Sequence, residues 1–323
     1  MTTQPLVSVA LATCNGERFL REQLDTVFSQ TWPRLEVVVS DDTSTDGTIA
    51  ILDEYARAHD LRYEVNPRRL GLVKNFERAI ALCRGDYIAL CDQDDLWKPH
   101  KIATLVSEIG ACTLIYCNTE EQLTPEGEIR LEPSFAPIQS FARAHGTGKP
   151  TRYLLAENWV VSHGVLFKRE LVEHALPIPP HQPFHDGWLA LIASKLGGIR
   201  YLDQRLQVYR QHPGSFTWAE PHERVRSKGL LRALLDGDLR SSWRRRCEAE
   251  TARLRDALEH PLFDAEDRAF VARELLAYYG SGLAPRRRWA SWRGGRQVAP
   301  YVATLHNRPG SWKFPLRGVL GGA

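Results

Sequence analysis

The sequence predicts an α/β fold, a mostly parallel central sheet with helices on both faces, followed by a helical C-terminal extension. Three observations carry this. Short β-branched apolar runs alternate with helix-length amphipathic stretches up to about residue 118, and such alternation implies right-handed βαβ crossovers. Polar loops follow three of the runs, Thr13 to Gly16, Asp41 to Gly47 and Asp92 to Asp95, at the strand ends where open sheets bind ligands. After Gly214 the apolar runs give way to charged helical patterns.

The elements follow in order. Leu6 to Thr13 is the first strand-like run, Leu35 to Ser40 the second, Arg62 to Val65 a weaker third, Tyr87 to Cys91 a fourth and Cys112 to Cys117 a fifth. Between them Leu20, Leu24, Val27 and Phe28 share a helix face, as do Ile49, Leu52 and Tyr55, and less strictly Val73, Phe76, Ile80 and Leu82. Residues 119–158 lack periodicity and carry Pro125, Pro133, Pro137 and Pro150. That pattern suits a long insertion of the kind used as a lid. Trp159-Val160-Val161 resumes regular structure, and Ile199 to Leu202 and Leu206 to Tyr209 are expected to extend the sheet. Helices are expected over Arg224 to Leu235, Leu239 to Leu258 and Ala265 to Tyr279.

The most informative loop is Cys91-Asp92-Gln93-Asp94-Asp95-Leu96-Trp97. Carboxylates are costly at a buried strand end unless their charge is compensated. A divalent cation that also touches a phosphate does this, because hard cations prefer oxygen ligands and take only one or two carboxylates from the protein. The same residues also suit an N-cap cluster for a helix starting near Trp97. The loop Asp41-Asp42-Thr43-Ser44-Thr45-Asp46-Gly47 offers acceptors for ribose hydroxyls or a base N–H, with Asp46 reading as a turn former and Thr48 as a helix cap. Neither GxGxxG nor GxxxxGK[ST] is present, which argues against a dinucleotide enzyme or an NTPase.

Composition is ordinary for a globular protein, with 43% hydrophobic and 25% charged residues and a net charge of +3. Six cysteines form no CxxC pair, which favours reduced core thiols over disulfides or zinc. No signal peptide is expected, since the chain enters a strand without a charged leader, and no run is long enough to span a bilayer. From Leu275 to Ala323 the chain carries seven arginines, one lysine and no acid, among aromatic residues. That mixture favours an anionic membrane surface over a nucleic acid, although a basic tail packed on its own domain has the same composition.

Taken together these pieces resemble the inverting glycosyltransferase family 2, with its nucleotide-sugar-binding GT-A fold. The resemblance rests on Val7 to Gly16, Ser29-Gln30-Thr31-Trp32-Pro33, Val39 to Thr48, Leu70 to Phe76 and Cys91 to Trp97. Further pieces, His185-Asp186-Gly187-Trp188-Leu189-Ala190 and Val208-Tyr209-Arg210-Gln211-His212, are similar to the rhamnosyltransferase-like enzymes of bacterial surface-polysaccharide assembly.

The resemblance implies a catalytic domain over residues 1–215, with a donor-binding half at about 1–118 and an acceptor half at about 159–215. Residues 216–323 would form a helical, basic region. Asp41 and Asp42 would hold base and ribose, with Thr13 and Asn15 lining the pocket. Asp92 would face ribose or sugar, and Asp94 would bind Mg²⁺ or Mn²⁺ across the diphosphate. Asp186 matches the family's general base. His212 would add a metal ligand, Arg210 a phosphate contact, and Lys74 and Asn75 donor contacts. Asp95, His163, Gly164 and Trp188 are candidates for the acceptor side.

Several of these residues have plainer readings. Asp186 also fits a helix N-cap, His212 a surface loop, Lys74 a solvated face, and Trp97 and Trp188 packing; His163 and His185 draw no metal expectation. The processive signature QxxRW is absent from Gln204 to His212, which implies single-sugar transfer. The expected partners are a nucleotide-sugar donor, dTDP-L-rhamnose or a UDP-hexose, and a glycan or polyprenyl-linked acceptor at the inner face of the cytoplasmic membrane. A catalytically inactive sugar-nucleotide-binding protein would carry the same motifs.

Overall fold

The computed structural model describes residues 4–123, 132–133, 150–156, 158, 160–212 and 238–276. The chain divides into two packed units, Met1–Ser134 with Trp159–Pro213, and Phe135–Asn158 with Gly214–Ala323.

The first unit is built on β1 (Val7–Thr13), α1 (Glu17–Phe28), β2 (Leu35–Asp41), α2 (Thr48–Ala58), β3 (Leu61–Val65), α3 (Leu72–Leu82) and β4 (Tyr87–Asp92). These four strands lie parallel in the order β3-β2-β1-β4. β1 is the inner strand, and all seven of its residues are buried. Its side chains alternate between faces. Val7, Val9 and Leu11, with Val37 and Val39 of β2, pack against Leu20, Leu24 and Val27 of α1 and Ile51, Leu52 and Tyr55 of α2. α3 also packs on β1 and β2 and buries Phe76 and Ile80.

Beyond β4 the sheet becomes mixed. It continues through β8 (Val165–Lys168), β6 (Leu114–Leu123), β9 (Ile199–Gln211) and β5 (Leu96–Trp97), with β7 (Glu132–Pro133) paired to β6. β8 runs antiparallel to β4 and β6, and β5 antiparallel to β9, while β6 and β9 are parallel. Two expectations are corrected here. The helix expected from Trp97 starts instead at Lys101 (α4, Lys101–Glu108); Pro99 disfavours helical backbone just before it, and Leu96–Trp97 pairs with β9. The two runs expected over 199–202 and 206–209 are one strand, whose pairing with β6 shifts register around Asn118. The unit is completed by a 3₁₀ turn (Ser162–Gly164), α6 (Glu170–Ala175) and α7 (His185–Ala193).

α7 is buried almost all round. Trp188 is 1% exposed and donates its indole N–H to the Ala175 carbonyl at 2.8 Å. Trp188→Ala should therefore cost about 3–5 kcal/mol, read as a lowered urea midpoint; a midpoint unchanged from the parent would contradict this packing.

In the second unit α5 (Pro150–Ala156) is grouped with α8 (Asp238–Glu259), α9 (Ala265–Phe270) and a π-turn (Val271–Leu276). Arg253 of α8 donates to the Leu155 carbonyl at 2.6 Å, so the end of the expected lid packs with these helices. Asp264 caps α9 through the amides of Glu266 and Asp267, each at 2.9 Å. The helix expected over 224–235 and the basic tail beyond residue 276 lie outside the described residues. Among the described residues no helix is long and apolar enough to cross a membrane.

Candidate functional site

The carboxyl ends of β1, β2 and β4 place their loops side by side. Asp41, fully buried, accepts from the Thr13 hydroxyl at 2.8 Å, the Ser44 amide at 2.8 Å and the Ser44 hydroxyl at 2.5 Å. Asn15 sits at φ 52°, a conformation asparagine tolerates, and accepts from the Thr45 amide at 2.8 Å. Thr43 adopts φ 61° in the same loop, a strained state for a β-branched residue and a common one beside functional sites. Asp42 accepts from the amides of Leu70 at 2.6 Å and Gly71 at 2.9 Å and from the Asn66 side chain at 3.2 Å. Gly71, at φ 82°, lets that loop turn back onto the carboxylate. Asn75 continues the chain of contacts, accepting from Asn66 at 2.9 Å and donating to the Thr13 carbonyl at 3.1 Å.

Gln93 ties the third loop to the first. Its amide accepts from Cys14 N–H at 2.9 Å and donates to Cys14 C=O at 3.2 Å. A Cβ at Gly16 would lie 2.4 Å from the Gln93 side-chain oxygen, which is why glycine stands there. On either side of Gln93 the acids point into one region. Asp94 is 2.9 Å from His212 Nε2, and Asp92 accepts from the Ser162 hydroxyl at 2.8 Å. Asp95 is wholly buried; one oxygen accepts from the Arg210 amide at 3.1 Å and the other has no hydrogen-bond partner. His163 Nδ1 lies 3.8 Å from Asp92 and 3.6 Å from Asp95.

Burial, then the neighbouring charge of Asp94, pushes Asp92 up to about 7; its side chain keeps 26% of its surface open, so solvent tempers that rise. The same two causes hold Asp95 well above the usual carboxylate range. Burial lowers His163 to about 3, so it stands as neutral imidazole.

Asp186, in the first turn of α7, faces this cluster. It accepts from Ser162 N–H at 2.9 Å and from Gly187 N–H at 2.6 Å. Ser162 thus touches Asp186 with its amide and Asp92 with its hydroxyl, joining the two carboxylates through one residue. Gly164 lies against β6, where a Cβ would be 3.0 Å from the Cys117 carbonyl.

Not every expected residue joins the cluster. Lys74 reaches away, to Glu77 at 2.7 Å and the Ile178 carbonyl at 2.8 Å. Arg210, 4% exposed, spends its guanidinium on the Asp94 carbonyl at 2.5 Å and on Glu22, and lies 4.7 Å from the Phe19 ring. It shapes the acidic loop and offers no free fork to a phosphate. Trp188 presents no face to a ligand, as described above. Sequence reasoning missed Gln93 and Lys101. Gln93 carries no signal beyond its place between two acids. Lys101 carries one: it falls on the same helix face as Leu105, four residues on, a core position.

The donor set fits a divalent cation. The ligand atoms of Asp92, Asp95 and His163 all lie within 4.8 Å of one another, with Nδ1 of His163 facing both carboxylates, and one buried oxygen of Asp95 is unpartnered. Carboxylate oxygens favour hard cations such as Mg²⁺ or Mn²⁺, and the imidazole widens the range to softer divalent ions. Because Asp92 is raised from about 3.9 unfolded to about 7 folded, its contribution to stability is complete below the unfolded value and is lost as pH rises through the folded one. A cation needs the ionised form. The rise in melting temperature on adding Mn²⁺ should therefore be small near pH ~5.5 and grow through pH ~7; a shift independent of pH would contradict the assignment.

The glycosyl transferase family 2 model matches residues 8–173, a span that takes in all three loop-bearing strands and the Ser162 turn. An uncharacterized glycosyltransferase of Haemophilus influenzae is 33% identical over 242 residues, covering 69% of this chain and 71% of that one. The chain spans 59% of the length of the mycobacterial relatives it matches. Among solved structures, Staphylococcus aureus TarS 1–349 in complex with UDP-GlcNAc superposes with a TM-score of 0.56 at 16% identity, over 93% of this chain and 80% of that one. The mannosyltransferase PcManGT of Pyrobaculum calidifontis, in complex with GDP-Man and Mn²⁺, gives 0.51 at 20%, over 94% and 86%. At these identities the structures speak for the fold, which is GT-A. With the motif-bearing strands, their loops and the sequence family in agreement, the chain belongs to glycosyltransferase family 2.

Proposed function

We propose that the chain is a metal-dependent, inverting glycosyltransferase that moves one L-rhamnose from dTDP-L-rhamnose onto a glycan or lipid-linked acceptor of a bacterial surface polysaccharide. The observation that carries the transfer reading is the Ser162 bridge, which sets a candidate base and a donor-side carboxylate on either side of one residue. UDP-GlcNAc and GDP-Man in the structural neighbours support a nucleotide-sugar donor; the choice of rhamnose over a UDP-hexose rests on the resemblance of Asp92 to Trp97, His185 to Ala190 and Val208 to His212 to the rhamnosyltransferase-like branch, and no single motif among them separates the two donors.

In this reading Thr13, Asn15, Asp41 and Asp42 frame the pocket for base and ribose. Asp41 and Asp42 are enclosed by protein donors, so a ribose hydroxyl or base N–H would reach their remaining lone pairs by displacing a loop contact such as that of Ser44. Asp94 and His212, paired at 2.9 Å, would hold the cation together with the neighbouring Asp92, Asp95 and His163. Such an ion offsets charge growing on the leaving diphosphate. Asp186 takes the proton from the acceptor hydroxyl as that oxygen attacks the anomeric carbon opposite the leaving group. Docking of the basic C-terminal region to the cytoplasmic leaflet completes the reading, on the composition of residues 275–323.

Thermal shift with dTDP, UDP, GDP and their sugars in Mn²⁺ tests the donor. A ligand at 100 times its dissociation constant stabilises by about 2.7 kcal/mol, and dTDP-L-rhamnose should give the largest shift; a larger one with a UDP-hexose would replace it. Ser162→Ala should lower kcat one to two decades, the worth of a hydrogen bond to a charged group at about 1.5–3 kcal/mol, with nucleotide affinity held. An unchanged kcat would remove Ser162 from the machinery.

A further inference from the structure

Among the largest wholly buried side chains of the described residues, Lys101 is the one that carries a formal charge. An ammonium in that position costs stability, and burial draws it down to about 8. Three elements meet on it. Its Nζ donates to the His163 carbonyl at 2.7 Å and to the Gln207 side-chain oxygen on β9, and it lies 3.7 Å from the Trp97 ring of β5. The His163 carbonyl belongs to the Ser162–Gly164 turn, which is closed by the Gly164 N–H to Val161 C=O bond at 3.1 Å. A single turn of 3₁₀ helix supports itself poorly. The same turn presents Ser162 to Asp186 and Asp92.

We propose that Lys101 is a positioning residue for sugar transfer. Its ammonium, acting through the His163 carbonyl, holds the turn that aims Asp186 at the acceptor hydroxyl. The chain of contacts runs from Gln207 on β9 through Lys101 to His163, then through Ser162 to both carboxylates. Methionine would fill the same volume but leave two buried oxygens without a donor, so the turn would lose its anchor while the nucleotide pocket at β1 and β2 stayed intact. The proposal rests on the transferase reading above.

Lys101→Met tests it, with hydrogen exchange of the peptide containing Ser162–Gly164 and the split between kcat and thymidine affinity as readouts. The turn amides should exchange about tenfold faster, and kcat should fall about 10–10²-fold, the scale of a small misplacement in a reacting pair. The dissociation constant for thymidine, which carries no diphosphate to reach the cation set, should stay within about threefold, because Lys101 touches none of the residues that frame base and ribose. Gln207→Ala removes one anchor but keeps the ammonium; it should shift both readouts in the same direction by less, and it decides the matter if Lys101→Met does not fold. Unchanged exchange in the variants, or thymidine affinity falling in step with kcat, would overturn the proposal. A parent chain inert towards every nucleotide sugar would instead sink the transferase reading, while the exchange result would still show whether Lys101 holds the turn.

Discussion

Asp186→Asn should lower sugar transfer by about 10²–10⁴-fold, the usual contribution of a positioned general base. The substitution keeps size and one oxygen, so the Ser162 amide retains an acceptor and the fold should hold. What is lost is the capacity to take a proton. Nucleotide binding should be largely held, since Asp186 stands on α7 and its hydrogen bond runs to Ser162, whose hydroxyl donates to Asp92. Calorimetric titration of dTDP with Mn²⁺, run beside an activity assay, reads both. Transfer that survives in Asp186→Asn would assign the base elsewhere; nucleotide affinity lost together with transfer would give Asp186 a structural role.

Removing the cation should have a second large effect. Chelation, or Asp94→Asn, leaves the diphosphate facing an acidic loop with nothing between them, and like charges within a few ångströms repel strongly in a partly buried cleft. Nucleotide affinity in Mn²⁺ should fall by at least two decades, about 2.7 kcal/mol. Asp94→Asn also removes the carboxylate paired with His212 at 2.9 Å, so added Mn²⁺ should no longer restore binding. Affinity that is indifferent to chelator would contradict a metal-bridged diphosphate.

Much of this site could be read from the chain because strand ends are local. Val7 to Thr13, Leu35 to Asp41 and Tyr87 to Asp92 announce themselves by composition, and the loops that follow necessarily share one edge of a parallel sheet. Asp41, Asp42, Asp92 and Asp94 are legible in that way, whereas Asp186, in the first turn of a helix, is marked only by the family resemblance. The roles of Lys74, Arg210 and Trp188 were not, because what a long side chain touches depends on tertiary neighbours: Glu77 and Ile178 for Lys74, Glu22 and Phe19 for Arg210, Ala175 for Trp188. Nor does sequence show that Gln93 closes onto the Cys14 backbone across 79 residues, or that Lys101 and Gln207 meet beneath the Ser162 turn. Asp203, Gln204 and Arg205 interrupt the apolar pattern of β9, so its sequence shows two runs, whereas its pairing with β6 carries the strand through with shifts in register.

The central claim is a single displacement, with one base on the face of the sugar opposite a metal-held diphosphate. The anomeric configuration of the product, read by NMR against that of the donor, tests it most directly. Inversion is the predicted result. A product that keeps the donor's configuration would require a second displacement at the anomeric carbon and would contradict the placement of Asp186 as the only base the reaction needs.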